Sequence, residues 1–115
     1  MDYKFRIEFL DEANDFLDKL DDKVKEKIIY NIWKSRILNI NDKELFKKLQ
    51  DEIWEFRTLY NKTCYRLFAF WDKSDKVDTV VISTHGIIKK TNRVSKTEID
   101  RANYLREQYF KEKNK

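Results

Sequence analysis

Two arginines, two lysines and a histidine in the second half of the chain have side chains suited to binding and acting on a phosphate group. Arg57 and Arg66 carry planar guanidinium groups, which stay charged and donate paired hydrogen bonds to phosphate oxygens. Lys89 and Lys90 add compact positive charges that can balance negative charge on a reacting group. His85 is the single histidine, and its unperturbed pKa lies near neutrality. These five residues form the candidate site.

The spacing of Arg57 and Arg66 brings them together if the segments that carry them form a β-hairpin. A turn centred at Asn61-Lys62 would set the two arginines opposite each other, because directly opposed residues on neighbouring strands project from one face. Two such cations repel each other unless an anion lies between them, which predicts a phosphate clamp. Alternatively, Arg57 forms a surface ion pair with Glu55 or Glu52.

The remaining candidates follow the last predicted strand. Lys89, Lys90 and Arg93 are expected in a basic loop that reaches a nucleic-acid backbone, although a run of charges is also typical of a solvated surface. His85 could act as a general acid or base. A histidine at a strand end beside Gly86 also suits a structural hydrogen-bonding role, so both interpretations stay open.

The elements that must position these residues follow from the periodicity of apolar side chains. Residues 3–9 alternate between apolar and polar, which predicts a strand, and helical spacing begins at Asp11. The further predicted elements are two helices between 11 and 38, a helical turn at 45–49, strands at 53–59, 63–71 and 77–85, and a helix begun by a capping box of Ser95 and Glu98. This order predicts an α+β fold with a small antiparallel sheet and helices on one side.

Composition sets wider limits on the chain. Its 115 residues, of which 41% are hydrophobic, suffice for one core, so a single domain spanning 1–115 is expected, with Trp33, Trp54 and Trp71 inside it. The net charge of +4 suits a polyanionic partner. Cys64 is the only cysteine, which excludes an internal disulfide and favours a reducing cytoplasm. The chain contains no apolar run of about 18 residues and no export-signal pattern, so we expect no membrane association.

Five short motifs in the second half of the chain resemble those of a known toxin family. Glu55-Phe56-Arg57 is similar to its Glu-Leu-Arg pattern, and Tyr65-Arg66-Leu67-Phe68 is similar to its Tyr-Arg-aromatic strand. His85-Gly86, Lys89-Lys90-Thr91 and Glu98-Ile99-Asp100-Arg101-Ala102 are similar to its His-Gly, Lys-Lys-Thr and Glu-Ile-x-x-Ala signature. By these motifs the chain resembles the phage-derived HigB-like branch of the RelE/HigB-like toxin superfamily, whose members are toxins of type II toxin-antitoxin systems.

The resemblance implies a RelE-like microbial ribonuclease fold and a ribosome-dependent endoribonuclease, an mRNA interferase that cleaves translated messages. Without a metal or other cofactor, the substrate's own 2'-hydroxyl is the nucleophile, so the protein must help move protons and stabilise the phosphorane. Arg57, Arg66, Lys89, Lys90 and His85 are the residues expected to perform these tasks. The partners implied are the ribosome, mRNA and a HigA-like helix-turn-helix antitoxin, through which operator DNA would be bound.

Two other functions stay open at this point. A ParE-like toxin would share the fold but inhibit DNA gyrase without nuclease chemistry, and a degenerate toxin would bind only its antitoxin. The basic residues at 89–93, together with Arg57, favour RNA cleavage over gyrase inhibition. The fold alone does not establish activity.

Overall fold

One mixed sheet carries Arg57, Arg66, His85 and Lys89, and the three described helices pack against it. The computed structural model describes residues 3–37, 41–89 and 93–115. Its elements in chain order are β1 (Arg6–Phe9), α1 (Asp11–Asp18), α2 (Asp22–Arg36), β2 (Phe46–Gln50), β3 (Ile53–Tyr60), β4 (Thr63–Asp72), β5 (Val80–Lys89) and α3 (Lys96–Lys113). The α+β class is confirmed, and the architecture is compatible with a small RelE-like fold. Within the described ranges, no helix has the length and apolar character needed to cross a lipid bilayer.

The strands lie in the order β1-β5-β4-β3-β2, and the direction of β1 differs from the prediction. β1 runs parallel to β5, with Arg6 opposite Val80, whereas the other neighbours are antiparallel. The expectation of a wholly antiparallel sheet is therefore wrong at this edge. Alternation of side chains predicts which face of a strand is buried, but it contains no information about the partner or the direction of pairing.

β2 occupies residues that were predicted to form a helical turn. Phe46 lies opposite Phe56 in the antiparallel pair, and their rings stack with centroids 4.2 Å apart. This cross-strand contact overrides the weak helical spacing of the local sequence. As a result, Lys47 lies opposite Glu55, beside the candidate site.

Helices cover both faces of the sheet rather than one, which corrects the prediction. α1 and α2 pack on the face formed by residues such as Phe56, Leu67 and Val81, whereas α3 packs through Ile99 and Ala102 on the opposite face. Residues 66–70 of β4 are all buried, as expected for a strand covered on both sides. We call the two surfaces the α1/α2 face and the α3 face.

The β3–β4 hairpin has the predicted turn. Asn61 and Lys62 adopt left-handed conformations with φ values of 48° and 65°, and Tyr60 pairs with Thr63 across the loop. Two successive residues with positive φ make a tight turn whose twist matches that of the strands. This turn fixes the register in which the side chains of β3 and β4 meet.

β5 begins three residues later and ends four residues later than predicted. Asp75 accepts backbone hydrogen bonds from Val77 at 2.8 Å and Asp78 at 3.3 Å, which holds the start of the predicted strand in a turn. At its other end β5 continues to Lys89, which pairs with Cys64. Lys89 is therefore the last residue of a strand and not part of the loop.

The tryptophans are less buried than predicted. Trp33 is 37% exposed on α2 and stacks on Tyr30 with ring centroids 6.3 Å apart. Trp54 and Trp71 are half-buried on the α1/α2 face. Apolar periodicity could not separate a ring inside the core from one that only borders it.

Asp72 at the end of β4 anchors the last turns of α3. Its Oδ2 accepts hydrogen bonds from Tyr109 Oη at 2.6 Å and from Lys113 Nζ at 2.5 Å, and its Oδ1 accepts from the Ser74 amide at 2.9 Å. Burial alone would raise the pKa of the Asp72 carboxyl, but the hydrogen bonds from Lys113, Ser74 and Tyr109 hold it well below its usual range. The ionised carboxylate therefore ties α3 to the sheet.

We expect Gly86→Ala to destabilise the fold by about 1–3 kcal/mol, because an added methyl overpacks the contact between β5 and α1. A Cβ at this position would overlap the ring of Phe16, with Cε2 only 2.6 Å away. Chemical denaturation of the purified protein measures the change. The double variant Gly86→Ala/Phe16→Leu should recover part of the loss; an unchanged midpoint in the single variant would contradict the packing described here.

We expect Asp72→Asn to lower the urea midpoint at neutral pH and to have less effect in acid. The depressed pKa of Asp72 means that its contribution is complete above the unfolded value of 3.8 and is lost as the pH falls below it. Urea titrations of both proteins across pH 2–7 would show the two curves converging at low pH. A constant gap between them would rule out an ionised Asp72 as the cause.

Candidate functional site

Arg57 and Arg66 meet on the α3 face, as the hairpin register predicted. They lie directly opposite each other, and both reach the carboxylate of Glu55. Arg66 Nη1 donates to Glu55 Oε1 at 2.5 Å, and Arg57 Nε lies 3.4 Å from the same oxygen. The predicted anion between the arginines is thus supplied by the protein itself. The alternative prediction of an ion pair with Glu55 is confirmed, although the carboxylate is buried rather than at the surface.

The two arginines differ in their access to solvent. Arg66 is 1% exposed, whereas the side chain of Arg57 retains 18% exposure and its Nη1 lies 3.6 Å from Glu44 Oε2 at the surface. Glu55 is fully buried, and its Oε2 has no hydrogen-bond partner among the described residues. The two guanidinium groups share the buried Glu55 carboxylate, and the surface carboxylate of Glu44 lies near the exposed end of Arg57.

Two lysines lie on the same face of the sheet. Lys47 is opposite Glu55, and Lys89 is opposite Cys64, which is two residues before Arg66 on β4. Because alternate residues of a strand share a face, Lys47 and Lys89 flank the arginine pair. Sequence reasoning missed Lys47 because β2 was predicted as helical. The sequence feature that could have indicated a β-hairpin here is the short polar link at 51–52, which precedes a strongly aromatic strand.

An open cavity of about 660 Å³ extends the basic surface beyond Lys89. Arg93 and Lys96 line it together with Gln50 and the start of α3. Lys90, the remaining predicted lysine, lies outside the described residues. The described cations therefore form a band from β3 across β4 and β5 to the α3 N-terminus.

His85 lies close to this band but is 6% exposed. Its ring stacks on Phe68 with centroids 4.8 Å apart, Nδ1 lies 3.0 Å from Thr84 Oγ1, and Nε2 lies 3.3 Å from Glu98 Oε1. Burial lowers the pKa of His85, and the attraction of the Glu98 carboxylate offsets only part of that effect. A neutral imidazole that donates from Nε2 and accepts at Nδ1 fits these partners. The geometry matches the structural hydrogen-bonding interpretation of this residue.

Glu98 has a different role from the predicted one. Ser95 is the N-cap residue of α3, but its side chain makes no capping hydrogen bond, and the Glu98 carboxylate faces His85 instead. The capping-box sequence therefore predicted where the helix starts, although its side chains do not form the capping hydrogen bonds. In its place, the His85–Glu98 contact joins β5 to the first turn of α3.

Comparison with known proteins agrees with the motifs and the fold. Residues 15–107 match the family described as Phage derived protein Gp49-like, and this range includes all five predicted site residues. No curated protein matches the chain. The matched range covers well over half of the 115 residues. The chain therefore belongs to the Gp49-like family of phage-derived proteins, which is part of the RelE/HigB-type toxin group.

Proposed function

We propose that this chain is the toxin of a type II toxin-antitoxin system and that it cleaves translated mRNA on the ribosome. Membership of the Gp49-like family supports the toxin assignment, because that family is associated with endoribonucleases of the RelE type. The observation that carries the nuclease assignment is the cross-strand pair of Arg57 and Arg66 on Glu55, flanked by Lys89. Such a cluster suits a substrate with a polyanionic backbone.

The proposed reaction is an internal displacement at phosphorus. The 2'-oxygen of the substrate forms a bond to phosphorus as the bond to the 5'-oxygen breaks, giving a 2',3'-cyclic phosphate and a 5'-hydroxyl. The 2'-hydroxyl loses its proton and the leaving oxygen gains one. Extra negative charge develops on the non-bridging oxygens, so cations fixed in place before the reaction lower its barrier.

Different cations have different tasks in this proposal. Arg57 and Lys89, which reach the surface, contact the phosphate, and Lys90 and Arg93 extend the contact along the RNA backbone. Arg66 is a positioning residue, because its enclosed guanidinium holds Glu55, which in turn orients Arg57. Preorganisation of this kind favours Arg57 over a lysine, whose single ammonium lacks a planar fork.

His85 is also a positioning residue in this proposal. Its two ring nitrogens are occupied by Thr84 and Glu98, so a proton transfer to RNA would first require breaking one of these contacts. By holding Glu98, His85 fixes the first turn of α3 beside the basic cavity at Lys89. Its loss would act through the position of α3.

The implied partners are part of the same proposal. A basic toxin surface suits an antitoxin segment with complementary acidic or apolar side chains, and the antitoxin would supply the helix-turn-helix that binds operator DNA. A function on translating ribosomes places the protein in the cytoplasm. The neighbouring gene provides a direct check, since an antitoxin of this type would be encoded beside the toxin.

We expect Arg57→Ala to reduce message cleavage by roughly 100-fold or more, in line with the loss of one transition-state charge contact. The assay follows cleavage of a translated message in a cell-free translation extract, with the same RNA lacking ribosomes as a comparison. Arg6→Ala is a matched control, because Arg6 is an exposed arginine ion-paired to Asp78 at the other edge of the sheet. Equal cleavage by the Arg57 variant and wild type would exclude the assigned site.

Induced expression of the wild-type chain in cells separates the alternative functions. Growth arrest with intact messages and a loss of DNA supercoiling would favour gyrase inhibition. Absence of growth arrest, combined with antitoxin binding, would favour a degenerate toxin. Either result would contradict the nuclease proposal.

We expect Arg66→Ala to lose both activity and stability, unlike Arg57→Ala. Its removal leaves Glu55 buried without its closest partner, which costs about 3–5 kcal/mol. The double variant Arg66→Met/Glu55→Gln removes both charges and should recover most of the thermal midpoint without recovering cleavage. Recovery of cleavage in that variant would show that the buried pair does not position Arg57.

A further inference from the structure

A cavity of about 540 Å³ lies on the α1/α2 face, away from the arginine pair. Its walls are aromatic: the rings of Trp54 and Trp71 meet edge to face with centroids 5.6 Å apart, and Phe46 lies 4.8 Å from Trp54. Phe5 closes the inner side, 5.1 Å from Trp71. The volume is within the range of about 300–1,000 Å³ that is typical of small-molecule sites.

The rim of this aromatic cavity is basic. Lys4, Lys43, Lys47 and Lys48 line it, and Asp42 is the only acidic residue among the described lining residues. One oxygen of that carboxylate already accepts the Glu44 amide at 2.9 Å. An apolar aromatic interior with a positive rim suits a ligand that has both a flat ring and an anionic group.

Trp71 supplies a separate observation that points to a ligand. Its indole Nε1 is buried and has no hydrogen-bond partner among the residues that the structure describes. Buried polar groups are nearly always paired, so an unpartnered donor beside a cavity calls for an acceptor. Lys73 Nζ lies 5.3 Å from the centroid of the same ring and adds a further cation at this end.

We propose that this cavity binds an unpaired nucleotide of single-stranded nucleic acid, with the base stacked in the aromatic interior and the phosphate at the lysine rim. Bases stack on aromatic side chains regardless of their identity, and cations beside the stack follow the backbone. Ring nitrogens and carbonyl oxygens of a base are acceptors for the Trp71 donor. The proposal does not depend on the nuclease reaction, because the site lies on the opposite face of the sheet from Arg57.

Tryptophan fluorescence tests the proposal directly. The variant Trp33→Phe leaves Trp54 and Trp71 as the only tryptophans, both at the cavity. A tetrauridylate should quench this fluorescence to saturation, whereas inorganic phosphate at the same concentration should not. In the same background, Lys43→Glu/Lys48→Glu should weaken binding roughly tenfold, since each phosphate contact contributes to affinity.

The matched control is Lys23→Glu/Lys27→Glu on α2, which changes the net charge equally at exposed residues outside the cavity. It should alter affinity by about twofold or less, because exposed charges beyond roughly 10 Å are screened. Arg57→Ala should keep the quenching while losing cleavage, so failure of the nuclease proposal and failure of this one are distinguishable.

Three results would overturn the proposal. The first is no saturable quenching by tetrauridylate. The second is an equal loss of affinity in the two double-lysine variants, which would show that affinity depends only on the net charge of the protein. The third is equal or tighter quenching by an acidic peptide without aromatic residues, which would assign the cavity to a protein partner.

Discussion

Arg66 carries a permanent charge into the interior of the sheet, and that charge has to be balanced where it lies. Glu55 balances it at 2.5 Å, and the same oxygen also lies 3.4 Å from Arg57. A buried pair of this kind requires close geometry, because each ion has lost its water and only a well-placed partner compensates for it. A register slip of one residue between β3 and β4 would move Glu55 and Arg66 to opposite faces. The ion pair therefore favours one register and, with it, one direction for Arg57.

The position of α3 follows from polar contacts at both of its ends. Glu98 meets His85 at its first turn, and Tyr109 and Lys113 meet Asp72 near its last. Between them, apolar residues pack on the sheet and exclude water from that part of the face. The covered region borders Glu55, so α3 helps to enclose the ion pair while Arg57 stays partly exposed. The same helix thus contributes to the stability of the fold and determines which of the cations remain exposed to solvent.

β2 joins the two surfaces for which we propose functions. Lys47 lies opposite Glu55 and also lines the aromatic cavity, as do Phe46 and Lys48. On one face, cations surround a buried carboxylate with few exposed rings, which suits a phosphate. On the other, rings form the walls and lysines the rim, which suits a base with its phosphate. The backbone of β2 sends alternate residues to opposite faces, but Lys47, on this edge strand, borders both surfaces.

Local patterns in the sequence determined the class of fold, the type and approximate position of seven of the eight described strands and helices, and the opposition of Arg57 and Arg66. The opposition of the two arginines could be predicted because residues at equal distances before and after a two-residue turn at Asn61-Lys62 lie opposite each other. Only the tertiary structure decided that β1 pairs in parallel, that residues 46–50 form a strand, and that Arg66 is enclosed while Arg57 is not. The periodicity of apolar residues predicts that a side chain is buried. It does not predict which residues surround that side chain, because these come from elements distant in the chain. The burial of each charged side chain depends on how the helices pack on the sheet. Burial in turn decides whether that charge can contact a ligand.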